Sequence, residues 1–134
     1  MLIFPLRSWA VSIPSVWNVP AENYNFVGRD EILCNIAELF KNAPLKTAVL
    51  SGPSGFGKSQ IAKHYIYKSY PQYDIVWWFK GNQYLEPQFE EFALELGAFL
   101  GLELEGKIKA IDHGRLINII KGAIRKKRLK CLLI

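Results

Sequence analysis

Eight residues, Gly52-Pro53-Ser54-Gly55-Phe56-Gly57-Lys58-Ser59, narrow the folds open to this chain more than anything else in it. They match G-x-x-x-x-G-K-[ST] at every fixed position. An apolar stretch, Ala48-Val49-Leu50, precedes them, and a helical pattern starts at Lys58. A backbone that leaves a strand, curls tightly and enters a helix is the β-turn-α half of an α/β unit. Glycine is needed where such a curl brings main-chain N–H groups against a ligand. A side chain at Gly52 or Gly57 is expected to obstruct that approach.

The rest of the chain alternates in the same way. Asp30 can cap a helix whose Ile32, Leu33, Ile36, Leu39 and Phe40 share a face, and Asn42-Ala43-Pro44 ends it. Residues 46–51 read as a short buried strand, and 58–70 as a helix with Ile61, Ala62, Tyr65 and Ile66 inward. Ile75-Val76-Trp77-Trp78-Phe79 is apolar throughout, as strands buried on both faces are. Helices are predicted at about 85–100 and 113–125, and a last strand at 129–134. Residues 1–25 hold three prolines without periodicity and read as an extended arm with turns. The fold class is therefore α/β, with a parallel sheet and helices on both faces in three layers.

The loop chemistry points to a phosphate group. Backbone amides of residues 52–59 would ring the phosphate oxygens, and the Lys58 ammonium would reach the β- and γ-phosphates as a point charge. The Ser59 hydroxyl would be a ligand for Mg²⁺. The helix opening at Lys58 would aim its positive end at the same place. The nucleotide-binding residues expected here are Gly52, Pro53, Ser54, Gly55, Phe56, Gly57, Lys58, Ser59 and the next helix residue, Gln60. The expected ligands are ATP or ADP with Mg²⁺.

Composition removes several alternatives. Half of the 134 residues are hydrophobic and 22% are charged, so the chain reads as globular rather than disordered. Cys34 and Cys131 are far apart and form no CxxC pair, which speaks against a disulfide framework or a zinc site and for a reducing cytoplasm. No basic residue precedes the apolar start, and Pro5 and Arg7 interrupt it, so no signal peptide or membrane span is expected. The formal charge of +5 is a mild excess. The cluster Arg125-Lys126-Lys127-Arg128 is explained more simply as a charged helix-to-strand connection than as a nucleic-acid site.

Other reactive residue types have plain readings. His64 lies beside Lys63 and near Lys68 on a solvated face, and His113 sits at a helix start after Asp112. Glu90, Glu91 and Glu95 read as the outer face of one helix, opposite Phe89, Phe92 and Phe99. Trp77 and Trp78 read as core.

Three separated motifs resemble the NB-ARC domains of the STAND class of signal-transduction ATPases. They are Val16-Trp17-Asn18-Val19-Pro20 followed by Asn25-Phe26-Val27-Gly28-Arg29-Asp30-Glu31, the loop with Ser59-Gln60-Ile61-Ala62, and Tyr73-Asp74-Ile75-Val76-Trp77-Trp78-Phe79. The chain is similar to microbial members that carry tetratricopeptide repeats. The resemblance covers residues 16–134 and makes 26–134 the N-terminal part of such a nucleotide-binding domain. It implies an adenine-side role for Phe26, Val27 and Arg29. Ser54 stands where many members have glycine, and serine is small enough for binding to survive.

The resemblance also implies a sheet in the order 5-1-4-3-2, with Lys130-Cys131-Leu132-Leu133-Ile134 as the Walker B strand. The acidic residue expected after that strand is not in the sequence, which leaves hydrolysis of ATP open. Strands four and five are also missing, so residues 46–51 are expected to lack a partner on both sides. Each net backbone hydrogen bond lost costs ~0.5–1.5 kcal/mol, and several such losses rival the ~5–15 kcal/mol stability of a whole domain. The chain therefore reads as an incomplete P-loop core, the N-terminal part of a longer protein whose further domains, or a protein partner, complete the sheet. The function expected is that of the ADP/ATP-binding module of a nucleotide-dependent signalling switch. The alternatives are a small P-loop kinase or NTP hydrolase, and a non-catalytic interaction module.

Overall fold

A computed structural model of the chain describes residues 13–23, 25, 28–41, 47–104 and 106–134. It is α/β, with a small three-stranded parallel sheet and four α-helices among the described residues. The elements are β1 (Val16–Trp17), α1 (Asp30–Lys41), α2 (Lys58–Ser69), β2 (Ile75–Trp77), α3 (Leu85–Leu100), α4 (His113–Lys126) and β3 (Cys131–Leu133). Short 3₁₀ turns follow α2 and precede α4. The chain divides into two compact units, one of Met1–Val19 with Tyr70–Ile134 and one of Pro20–Ser69.

The first unit holds the sheet. Its order is β1-β2-β3, with Val16 opposite Ile75 and Ile75 opposite Cys131. A two-residue strand is short for a sheet edge, and a side chain extends it. The Asn18 amide donates to Trp78 O at 2.9 Å and accepts from the Trp78 N–H, which carries the pairing past the ladder. At the start of β3, the Asp74 carboxylate accepts from Lys130 N at 2.8 Å, while Asp74 N donates back to Lys130 O at 2.8 Å. Beyond β3, Phe79 N donates to Ile134 O at 2.7 Å.

The core of this unit joins Val16, Ile75 and Trp77 to Phe92, Ala93 and Leu96 of α3 and Leu116 and Ile120 of α4. Fully burying one such side chain contributes about 1.5–3 kcal/mol. Trp77 lies 5.3 Å from the Phe92 ring, and its Nε1 has no hydrogen-bond partner among the described residues. The predicted faces of α3 and α4 hold at Phe92, Leu96, Leu116 and Ile120, whereas Phe99 and Ile117 are exposed. Asp112 caps α4 by accepting from Arg115 N at 3.3 Å.

The second unit is a helix pair. Leu33 and Ile36 of α1 and Ile61, Tyr65 and Ile66 of α2 are buried, and the Phe40 and Tyr65 rings meet at 6.0 Å. Lys68 of α2 reaches Asp30 of α1 at 3.5 Å, and Tyr67 donates to Pro20 O at 2.9 Å.

Two expectations need correction or extension. Residues 47–51 form no strand, and Val49 is 80% exposed, so the predicted buried strand is absent there. The three described strands pair only with one another, and an apolar run without a ladder partner has no reason to stay extended and buried. The stretch read as an irregular arm contributes β1, while residues 1–12, like Asn42-Ala43-Pro44, lie outside the described residues. No described helix is long and apolar enough to cross a membrane.

Candidate functional site

The glycine loop lies wholly in the helix-pair unit. It is curled. Phe56 N donates to Pro53 O at 3.3 Å and closes a turn over 53–56, and Ile61 N donates to Gly57 O at 2.9 Å and starts α2. Gly55 and Gly57 have φ of 81° and 79°, the left-handed region that side chains disfavour. Within the chain itself, room for a Cβ is not lacking at the start of the loop. A Cβ at Gly52 would meet only the Phe56 side chain, at an ordinary 3.9 Å, and one at Gly55 would meet nothing within 4 Å.

Lys58 turns back into this curl. Its Nζ donates to Gly52 O at 2.8 Å and to Pro53 O at 2.9 Å. The ammonium is thus held at the loop by two neutral carbonyls, which an anion with more charge can displace. No acidic residue lies in the first turn of α2, so the positive helix end there is not offset by its own sequence. Pro53, Ser54, Gly55, Phe56 and Ser59 are exposed, and Gln60 is half-buried.

Comparison with protein-family models, curated proteins and solved structures found no match to this chain. The site therefore rests on its own geometry.

Of the residues expected on the adenine side, Phe26 and Val27 lie outside the described residues. Arg29 is exposed, has φ 63° and sets its guanidinium over the Phe56 ring, 5.0 Å from the centroid. Sequence spacing gave no sign of this stack. The two residues are 27 positions apart, and the contact depends on how Gly28-Arg29 turns into α1.

Two hollows are found among the described residues, and neither is lined by residues 52–59. One, of about 320 Å³, is lined by Phe79, Leu85, Glu86, Phe89, His113 and Ile117. Its apolar walls offer little that would hold a phosphate. The other, of about 260 Å³, runs between α1 and residues 47–50. His113 lies 3.6 Å from Glu90 at the start of α4, in keeping with a helix-end role. Among the described residues, no group of three His, Cys, Asp or Glu side chains could hold a metal ion. Cys34 is exposed, and burial pushes the Cys131 thiol up from 9.0 to about 12.

Proposed function

We propose that residues 52–59 are a nucleotide phosphate-binding loop and that the chain binds ADP or ATP as the switch module of a STAND-class signalling protein. The observation that carries this reading is the position of Lys58, whose ammonium sits 2.8–2.9 Å from two carbonyls of the curl. A flexible cation could point anywhere on an exposed turn. Here two hydrogen bonds, to Gly52 O and Pro53 O, turn it back onto the curl, and that supports the reading. The bound phosphates would exchange neutral acceptors for charged ones, and charge-assisted hydrogen bonds are roughly twice as strong.

Mg²⁺ would arrive with the nucleotide and offset phosphate charge, with the Ser59 hydroxyl in the first turn of α2 as its proposed protein ligand. The three-layer P-loop core belongs to this proposal. A γ-phosphate would supply the differential contact that lets such a module favour one of two states.

Lys58→Ala is expected to abolish binding of a fluorescent ADP analogue, measured by anisotropy on protein whose circular dichroism matches wild type. Undiminished affinity in that variant sinks the assignment. The second reading, a non-catalytic interaction module, is favoured by the stretch 47–51, in which Val49 is 80% exposed and which joins no described strand. It predicts capture of a partner strand that is indifferent to Lys58→Ala.

A further inference from the structure

The Phe56 side chain does two things at once. It lies near Gly52, where the nearest approach to an added Cβ would be 3.9 Å, and so it folds back towards the first residue of the loop. Its other contact is the Arg29 guanidinium, 5.0 Å from the ring centroid. More than half of the Phe56 surface is nevertheless exposed, at 52%. An exposed aromatic at the apex of a glycine-rich turn has little burial to hold it. A planar cation against its face is the contact that does.

Arg29 is itself fixed from the far side. Its carbonyl accepts from Leu33 N at 3.1 Å and so belongs to the first turn of α1. Its φ of 63° is uncommon for a residue with a side chain, and Gly28 before it has φ 94°. The chain thus takes a left-handed corner just before α1, and that corner delivers the guanidinium to Phe56. Such conformations persist where surrounding contacts over-determine them, and they cluster at ligand clamps and switches.

We infer that Arg29 is a positioning residue for the phosphate loop: it acts through the Phe56 ring to hold residues 52–57 curled, and so ties the start of α1 to nucleotide affinity. This rests on the phosphate-loop reading above and assigns Arg29 a different task from direct contact with the base. No bond is made or broken. The stack lowers the cost of ordering the loop before a polyphosphate arrives, which is how preorganisation raises affinity.

The test is a double-mutant cycle on the full chain with a fluorescent ADP analogue. Arg29→Asn removes the guanidinium while keeping a residue that tolerates the left-handed backbone. Phe56→Leu keeps apolar bulk and removes the ring. Each is expected to weaken binding by about two- to fivefold, the range of an exposed cation–π contact. The double variant should bind no more weakly than the weaker single, because both remove one shared contact. Arg29→Lys, which keeps the charge, should recover part of the loss.

Hydrogen exchange supplies a readout on nucleotide-free protein. Amides of residues 54–57 should exchange faster in both single variants and to the same extent. Multiplying losses in the double variant would show Arg29 meeting the nucleotide itself, and would overturn the inference. Unchanged loop exchange in Arg29→Asn overturns it as well. If Lys58→Ala abolishes binding while Arg29→Asn and Phe56→Leu do nothing, the inference falls and the phosphate-loop reading stands. A wild-type chain that binds no nucleotide sinks both.

Discussion

An aromatic disulfide reagent offered to the native protein at pH 8 should modify Cys131 far more slowly than the same residue in urea. Cys131 is half-buried in β3, packed against the core that includes Ile75 and Trp77. Burial raises its thiol from 9.0 to about 12, because the thiolate loses hydration that the strand does not replace. At pH 8 a thiol at 9.0 is roughly one-tenth ionised, and one at 12 roughly one part in 10⁴, a ratio of about 10³. A more basic thiolate is a better nucleophile, and a Brønsted slope of ~0.4–0.5 returns a factor of about 15–30. The net slowing is roughly 30- to 60-fold before any steric shielding.

The assay is mass spectrometry of peptides after timed quenching, with exposed Cys34 as a reference for reagent activity. The folded thiol sits above its ordinary value, so its contribution to stability is present below about pH 9. That contribution is lost as pH rises towards 12, because only the unfolded chain releases the proton in that window. Equal native and denatured rates at Cys131 would refute the reasoning, since they would place the thiol in water.

Three further outcomes follow from packing. Asp112→Ala removes the acceptor for Arg115 N and should cost about 0.5–2 kcal/mol in urea denaturation, with Asp112→Asn recovering most of it. Gly97→Ala improves helix propensity by ~0.5–1 kcal/mol, but its Cβ would lie 3.0 Å from Leu104 Cδ1 in the core. Overpacking costs ~1–3 kcal/mol, so net destabilisation is expected, and a raised melting temperature would contradict it. Trp77→Phe removes the unpartnered indole N–H, which relieves ~1–3 kcal/mol and offsets much of the lost burial. It should therefore stay within about 1 kcal/mol of wild type, whereas Trp77→Ala should cost ~3–5 kcal/mol. Similar losses for the two would mean that the N–H is satisfied in solution.

The helices were legible in the sequence because their information is local. Each N–H pairs four residues back, so the spacing of Phe92 and Leu96, or of Leu116 and Ile120, is enough to phase a helix and choose its inward face. The α/β class and the curl at residues 52–58 were legible for the same reason: glycines, lysine and a helix start are adjacent in the chain. Strands were not legible in this way. Val16-Trp17 became a strand through partners about 60 residues away, and Ala48-Val49-Leu50, apolar and strand-like by itself, found none. A ladder exists only if a second backbone arrives beside it, and no local pattern states which backbone that is. Composition and spacing alone thus determined where this chain coils and where it must bend. Tertiary structure decided which extended segments pair, that Lys58 folds onto Gly52 and Pro53, and that Arg29 rests on Phe56, because each depends on groups that only the folded backbone brings within bonding distance.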